Sequence, residues 1–397
     1  MLCGLKVLDF TTLLPGPLAT LMLADLGADV VRVESPTRPD LARLAPPYVE
    51  DDGPISCLHA YLNRNKRSLA LDLKKAESVI LIERMIKEYD IVVEQFRPGV
   101  MERLGLSFER LSAINPGLIY CSLTGYGQSG PLKDRAGHDI NYLALSGLMS
   151  YSGRKDTGPA LMGTQLADIG SGTNNTIIGI LAAVIHRQAT GLGQHIDVAM
   201  TDGLFPFHAA AAIKELCGEK PSTYESEVLG GGSLYGFYET ADGRYISFGG
   251  LEHQFFSVFC TAIGLPDLIP GSVLQPGRVE EAKRQVAEAI KTKPLAHWVD
   301  LFKEKDACLE PVLTFGEAVR SEHAMARALL VKVPGLNGKA YDQLACPIKF
   351  SGYAPAYKRI GCRIGQDTGG VLEELGLLAD EISDLKGKGV FGEIDIL

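Results

Sequence analysis

Two short stretches of this 397-residue chain hold side chains suited to moving protons. One runs Ala136-Gly137-His138-Asp139-Ile140-Asn141-Tyr142, the other Leu166-Ala167-Asp168-Ile169-Gly170-Ser171-Gly172. An imidazole exchanges its proton near neutral pH, and a carboxyl does so when its surroundings raise its proton affinity. His138 falls at the start of a helical pattern in which Ile140, Leu143, Ala144, Gly147 and Leu148 share one face. The positive end of that helix disfavours imidazolium and keeps His138 in its accepting form, with Asp139 as its neighbouring acid. Asp168 precedes a second helix, expected over about 170–188. Gly170 and Gly172 leave that helix mouth bare, and its backbone N–H groups are suited to holding an oxyanion or a thioester carbonyl. Taken singly, His138 and Asp168 are also ordinary helix caps.

The elements that must position these groups follow a parallel-sheet pattern. Apolar runs at Leu5–Phe10, Val30–Glu34, Leu69–Leu73, Ile91–Glu94, Leu118–Leu123 and Gln194–Met200 read as strands, with helical patterns between them. Repeated βαβ units imply an α/β, Rossmann-like sheet. Glu34 after the second strand fits a dinucleotide site, but the first turn has only Gly16 and no GxGxxG, which argues against NAD or FAD. The loop Thr124–Pro131 is rich in glycine, as where backbone approaches a ligand. Cations cluster at Arg64-Asn65-Lys66-Arg67 and at Arg97, a pattern of either a solvated turn or contacts to a polyanionic cofactor.

From about residue 225 the texture changes. Gly230-Gly231-Gly232-Ser233 reads as a flexible loop, 236–249 as a hairpin, and Glu252 as lying in the first turn of a helix, where its charge suits the dipole. The expected organisation is a large domain over 1–200, a linker helix over 201–224, a small α+β domain over 225–330, and a tail over 331–397 that returns to the large domain.

Net charge is −9, from 39 basic and 48 acidic residues, against a nucleic-acid footprint. The eight cysteines form no CxxC and no zinc spacing, and read as buried free thiols of a reducing compartment. The first residues lack a signal-peptide layout, and no apolar run reaches the ~18 residues of a membrane span. A cytoplasmic protein without metal or membrane partner is expected.

Taken together, the ordered motifs resemble the family III CoA-transferase superfamily, and within it the α-methylacyl-CoA racemases. The carriers are Leu5–Phe10 with Pro15-Gly16-Pro17, Leu62–Ser68, Arg97-Pro98-Gly99-Val100, Thr124-Gly125-Tyr126-Gly127, Ala136–Tyr142, Ala167–Gly170, Asp242–Tyr245 and Glu252. The resemblance implies an interlocked dimer, most simply of identical chains, with a site built from the large domain of one subunit and the small domain of the other. It implies a coenzyme A thioester as substrate rather than a resident cofactor, with Lys66, Arg67, Arg97 and Arg103 in segments that bind CoA. In the racemase pattern His138, Asp168 and Glu252 are catalytic. In the transferase pattern Asp168 alone is essential: it attacks the acyl-CoA to form a mixed anhydride and then an aspartyl-CoA thioester, from which a carboxylic acid acceptor takes the CoA, under a glycine loop that Gly230, Gly231 and Gly232 supply. A third alternative is an inactive subunit paired with an active homologue. Two departures stand out: the run of glycines at 230–232 is long for a racemase, and Gly365-Gln366-Asp367-Thr368 stands where the family often has a histidine.

Overall fold

A computed structural model describes residues 1–50, 53–269 and 277–392. The chain divides into two compact units, one comprising 1–146, 162–205 and 323–397, the other 147–161 and 206–322. The segment 147–161 therefore belongs with the second unit, and the chain passes into that unit at Pro206.

The first unit is built on six parallel strands: β1 Lys6–Asp9, β2 Asp29–Glu34, β3 Arg67–Ala70, β4 Ile91–Glu94, β5 Ile119–Thr124 and β6 Gln194–Ala199. Their order is β6-β5-β4-β1-β2-β3, every neighbour pair parallel. That is the Rossmann strand order, in which the direction of winding reverses between β1 and β4. The strands are short runs of Val, Ile and Leu because both faces of a parallel sheet are covered. Helices α1 Pro15–Asp25, α2 Cys57–Leu62, α3 Ala76–Ile86, α4 Phe108–Ile114, α5 Asp139–Leu145 and α6 Asn174–Thr190 connect or cover them.

The tail supplies α7 Thr368–Glu374 and α8 Ala379–Gly387. Val371, Leu372, Val390 and Phe391 pack into the same core as Leu8, Val31, Leu69 and Val92. Thr368 Oγ1 accepts the N–H of Ala70 on the outer strand β3 (3.0 Å), so the tail covers an edge that is otherwise open.

The second unit has its own core. An antiparallel sheet of β7 Gly236–Glu239, β8 Tyr245–Phe248 and β9 Leu309–Pro311 packs with α9 His253–Ala262, α10 Val279–Ile290 and α11 Leu295–Phe302. Phe248 stacks on Phe259 with ring centroids 3.8 Å apart, and the Trp298 indole N–H reaches the Ile290 carbonyl at 2.9 Å. The expected linker helix over 201–224 is two 3₁₀ segments instead, Asp202–Ala210 and Ile213–Cys217. Pro206 inside the first accounts for the break, since it has no N–H to give an α-helical turn.

All eight cysteines are free. Cys121, Cys260, Cys346 and Cys362 are buried, Cys57 is half-buried, and Cys3, Cys217 and Cys308 are exposed, so the expectation of buried thiols fails for those three. Among the described residues no helix is long and apolar enough to cross a membrane.

Candidate active site

Asp168 does not cap a regular helix. It lies in a seven-residue π-helical segment, Ala167–Thr173, that runs directly into α6. π-Turns are rare and concentrate at functional positions. The segment is tied to strand ends on the side where ligands bind open α/β sheets. Ser171 Oγ donates to the Met200 carbonyl just past β6 (2.7 Å), and Thr173 Oγ1 to the Pro15 carbonyl at the start of α1 (2.7 Å).

The mouth of this segment is not bare, as the sequence suggested. Asp139 fills it: one carboxylate oxygen accepts the N–H groups of Ala167 (2.6 Å) and Asp168 (3.0 Å). Asp139 is thus a cap for a neighbouring element rather than the acid that supports His138. For this the buried face of α5 carries Tyr142, Leu143 and Ser146, with Asp139 half-buried beside them, and Ile140 is 50% exposed. Of the expected apolar face, Leu143 and Leu148 are buried, but Ile140 and Ala144 are exposed.

The Asp168 carboxyl is half-buried, and its pKa is pushed up to about 6. Burial is the main cause and the like charge of Asp139 adds to it, while His138 pulls in the opposite direction. His138 is exposed, and its backbone N–H is held by the Asn141 side chain at 3.0 Å. Tyr142 completes the cluster: its hydroxyl donates to the Gly137 carbonyl (2.5 Å) and its ring meets Tyr126 edge-on, with centroids 5.2 Å apart. Burial and then Asp168 push the phenol up to about 12, so it stays protonated. Two glycines make this possible. A Cβ on Gly125 would stand 2.6 Å from the Tyr142 ring, and one on Gly137 would stand 2.7 Å from both the Tyr142 ring and the Tyr126 hydroxyl. The glycines of the two motifs therefore admit a tyrosine that fixes the backbone beside His138.

Sequence reasoning left Tyr142 without a role and gave Asp139 a different one, as the acid beside His138. Their spacing of three on one helix was the available signal, and the polar identity of Asp139 masked it. Replacing Asp139 by Asn keeps an oxygen for the two N–H groups and removes the charge. The expected result is a lower Asp168 pKa, read as an acidic limb of the pH–rate profile displaced to lower pH with little change in melting temperature.

The other expected residues divide. Lys66 is corrected from a phosphate ligand to a core residue. Its ammonium is 1% exposed and lies among Asp9 Oδ2 (3.1 Å), Pro17 O (2.9 Å), Thr20 Oγ1 (2.8 Å) and Asn63 Oδ1 (3.0 Å). Arg67 is likewise committed, to Asp29 (2.6 Å) and Glu374 (2.7 Å). Arg97 and Arg103 are exposed, their backbones bonded to Val100 and Gly99, and among the described residues neither guanidinium has a hydrogen bond or ion pair. The single turn Val100–Arg103 sets them on one bend of chain. Glu34, where a dinucleotide sheet would hold a ribose, is bonded to Arg43 at both oxygens (2.9 and 2.6 Å) and to Ser68 (2.6 Å). Asp367, at the departure from the family's histidine, pairs with Arg359 (2.7 Å) and accepts the Ser68 N–H (2.8 Å).

In the second unit, Glu252 is an exposed residue that precedes α9 as its N-cap rather than lying in its first turn. The glycine stretch is a bonded turn, not a flexible loop. The N–H groups of Gly230 and Gly232 both reach the Glu227 carbonyl, at 2.9 and 2.8 Å, and Lys283 donates to the Gly231 carbonyl. Gly231 has φ +101°, and a Cβ on Gly232 would stand 2.5 Å from the Ser226 carbonyl oxygen, so the turn itself demands both glycines.

A family model described as CoA-transferase family III matches residues 2–368. The chain belongs to that family. Among its relatives is an α-methylacyl-CoA racemase from Mus musculus, 36% identical over 97% of this chain and 96% of that one. Another is an acetyl-CoA:oxalate CoA-transferase from Acetobacter aceti, 33% identical over 94% of each. A crystal structure of a CAIB/BAIF family protein from Brucella suis, 30% identical, superposes with a TM-score of 0.81 over 94% of this chain and 99% of that one. Family III thus includes relatives of both kinds, isomerases and transferases, and similarity at this level does not choose between them.

Proposed function

We propose that the protein acts on an acyl-CoA thioester through Asp168, and that it racemises or epimerises a 2-methylacyl-CoA by 1,1-proton transfer. The observation that carries this is a half-buried carboxyl whose pKa is pushed up to about 6, within electrostatic range of an exposed imidazole. A thioester acidifies its α-hydrogen. One carrier removes that proton to leave an enolate, and the other returns a proton to the opposite face. His138 and Asp168 are assigned as the two carriers and Glu252 as a further carboxylate of the relay; Gly170, expected as the oxyanion donor, lies past the first bonded turn, Ile169 N–H to Gln165 O (3.0 Å), and is not assigned that role. Arg97 and Arg103 are assigned to the CoA phosphates, since their guanidinium groups have no other partner among the described residues. The working form is proposed to be a homodimer.

A second reading rests on the same carboxyl. Asp168 attacks the acyl carbonyl and CoA thiolate leaves, giving a mixed anhydride. The thiolate then attacks the aspartyl carbonyl, releasing the first acid and leaving an aspartyl-CoA thioester for a second carboxylate. The raised basicity of Asp168 serves either reading, but only racemisation uses His138 as well. The deciding experiment is incubation with a 2-methylacyl-CoA in deuterated water. Deuterium at the α-carbon, with loss of stereochemistry and no hydroxylamine-sensitive adduct on Asp168, is the expected result. An adduct without exchange would establish the transferase reading instead.

A further inference from the structure

An exposed leucine is ordinary, but a leucine in the left-handed region of backbone space is not. Leu13 has φ +62° and is 39% exposed. It sits in the short loop from β1 to α1, beyond the carboxyl end of the inner strand β1, where the direction of winding reverses. Open α/β sheets bind their ligands at that crevice. The conformation is imposed from inside the fold. The Leu13 N–H donates to both carboxylate oxygens of Asp40 (3.2 and 3.0 Å). Asp40 is itself buried, anchored by the buried Arg32 guanidinium and by the Ala42 N–H (3.0 Å). The loop is pinned on either side as well. Asp9 holds the Thr11 N–H (2.9 Å), and the Gln95 side chain holds the Gly16 N–H (3.1 Å).

Glycine would adopt this conformation without strain, and asparagine with little. Leucine takes on the strain, so backbone preference does not account for its presence, and burial does so only in part. Backbone strain of this kind clusters at ligand sites, where the surrounding structure enforces it. The loop also adjoins the segment that carries Asp168. The Pro15 carbonyl, two residues past Leu13, accepts the Thr173 hydroxyl at the end of the π-helical turn (2.7 Å). An aliphatic side chain offers nothing to phosphates or to the amides of the CoA arm, but it takes hydrocarbon out of water. Resting on the acyl-CoA reading above, we infer that Leu13 is a specificity-determining residue, its side chain held at the crevice to pack against the hydrocarbon chain of the acyl group.

The probe is decyl-CoA, a thioether that cannot react, compared with CoA itself by titration calorimetry on the full-length protein. The parent is expected to bind decyl-CoA more tightly than CoA. Leu13→Gly keeps the backbone conformation and relieves its strain, so its melting temperature is expected to hold or rise. Its affinity for decyl-CoA is expected to fall about fivefold or more, while its affinity for CoA stays within about twofold. Should that variant fold poorly, a CoA thioether with a diazirine in its alkyl chain decides on the unsubstituted protein, and photolabelling within residues 11–18 is expected. Unchanged decyl-CoA affinity in folded Leu13→Gly, an equal loss for CoA, or labelling only outside 11–18 overturns the inference and leaves the acyl-CoA reading standing. A parent that binds decyl-CoA no more tightly than CoA overturns both.

Discussion

Asp168→Asn is expected to abolish turnover and yet to stabilise the fold at neutral pH. The loss of activity follows from either chemistry, since an amide neither exchanges the α-proton nor attacks a thioester; a fall of about 10³-fold or more is expected for a lost acid–base group. The gain in stability follows from the same feature that makes the group useful. Its pKa is raised to about 6 from an ordinary 3.8, so the folded state holds its proton more tightly than the unfolded chain does. Between those values folding takes up a proton, and the stability contributed by Asp168 falls as pH rises through that window. Above pH 6 the full penalty of a half-buried carboxylate beside Asp139 is present; below about 3.8 it is gone. A shift of roughly two units corresponds to ~3 kcal/mol, which solvent screening of this half-exposed group reduces to about 1 kcal/mol. The asparagine variant is therefore expected to melt about 1–3 °C higher than the parent at pH 7.5, with the difference closing toward pH 4. Equal melting at both values, or a lower melting temperature at pH 7.5, would show that the carboxyl is not strained and that its chemistry needs another source. Stability held back at a working residue in this way is a common feature of active sites.

How far the sequence carries such an argument is set by the distance over which each cause acts. The strands were legible because a parallel sheet buried on both faces writes itself as short apolar runs, and Ile91-Val92-Val93 needs no partner to be recognised. His138 and Asp168 were legible as types, since few side chains move protons near neutrality. Their surroundings were not. The apolar pattern gave Leu143 its buried place but also put Ile140 and Ala144, which are exposed, in the core and left out Asp139, which is half-buried. The packing of Tyr142 depends on Gly125, a residue from another loop. The hairpin of Gly153–Arg154 with Gly158–Pro159 belongs to the second unit although the chain around it belongs to the first, and nothing in its local composition signals that. The cations illustrate the same limit in electrostatics. Lys66, Arg67, Arg97 and Arg103 read alike in sequence, yet two are consumed by carboxylates that lie far away along the chain.

That last distinction yields the largest expected effect on stability. Lys66→Met is expected to cost about 3–5 kcal/mol, the range for removing one partner of a buried ion pair and leaving the other charge in the core. Asp9 is the charge left behind. It is wholly buried where the direction of winding reverses, and accepts from Thr11 N–H (2.9 Å), Thr11 Oγ1 (2.5 Å) and Thr20 Oγ1 (2.6 Å). Burial alone would raise its proton affinity, but Lys66 and then Arg32 hold it below the ordinary carboxylate value. Without the ammonium, Asp9 must stay ionised and unpaired or take up a proton, and both options destabilise the fold. Pairing the change with Asp9→Leu is expected to recover part of the loss, because two apolar groups of similar size replace an ion pair at little net cost. Denaturant unfolding of the two single variants and the double variant measures the coupling, with a strongly positive interaction as the expected outcome. The same series separates a core role from a substrate role. If Lys66 held a CoA phosphate, Lys66→Met would raise the KM for the thioester with the midpoint of unfolding unchanged. With the ammonium closed in among four oxygens, the midpoint is expected to fall while the KM of the folded fraction stays put. Arg97→Met and Arg103→Met are expected to do the reverse, raising KM about tenfold for each lost charge-assisted phosphate contact and leaving the unfolding midpoint where it was.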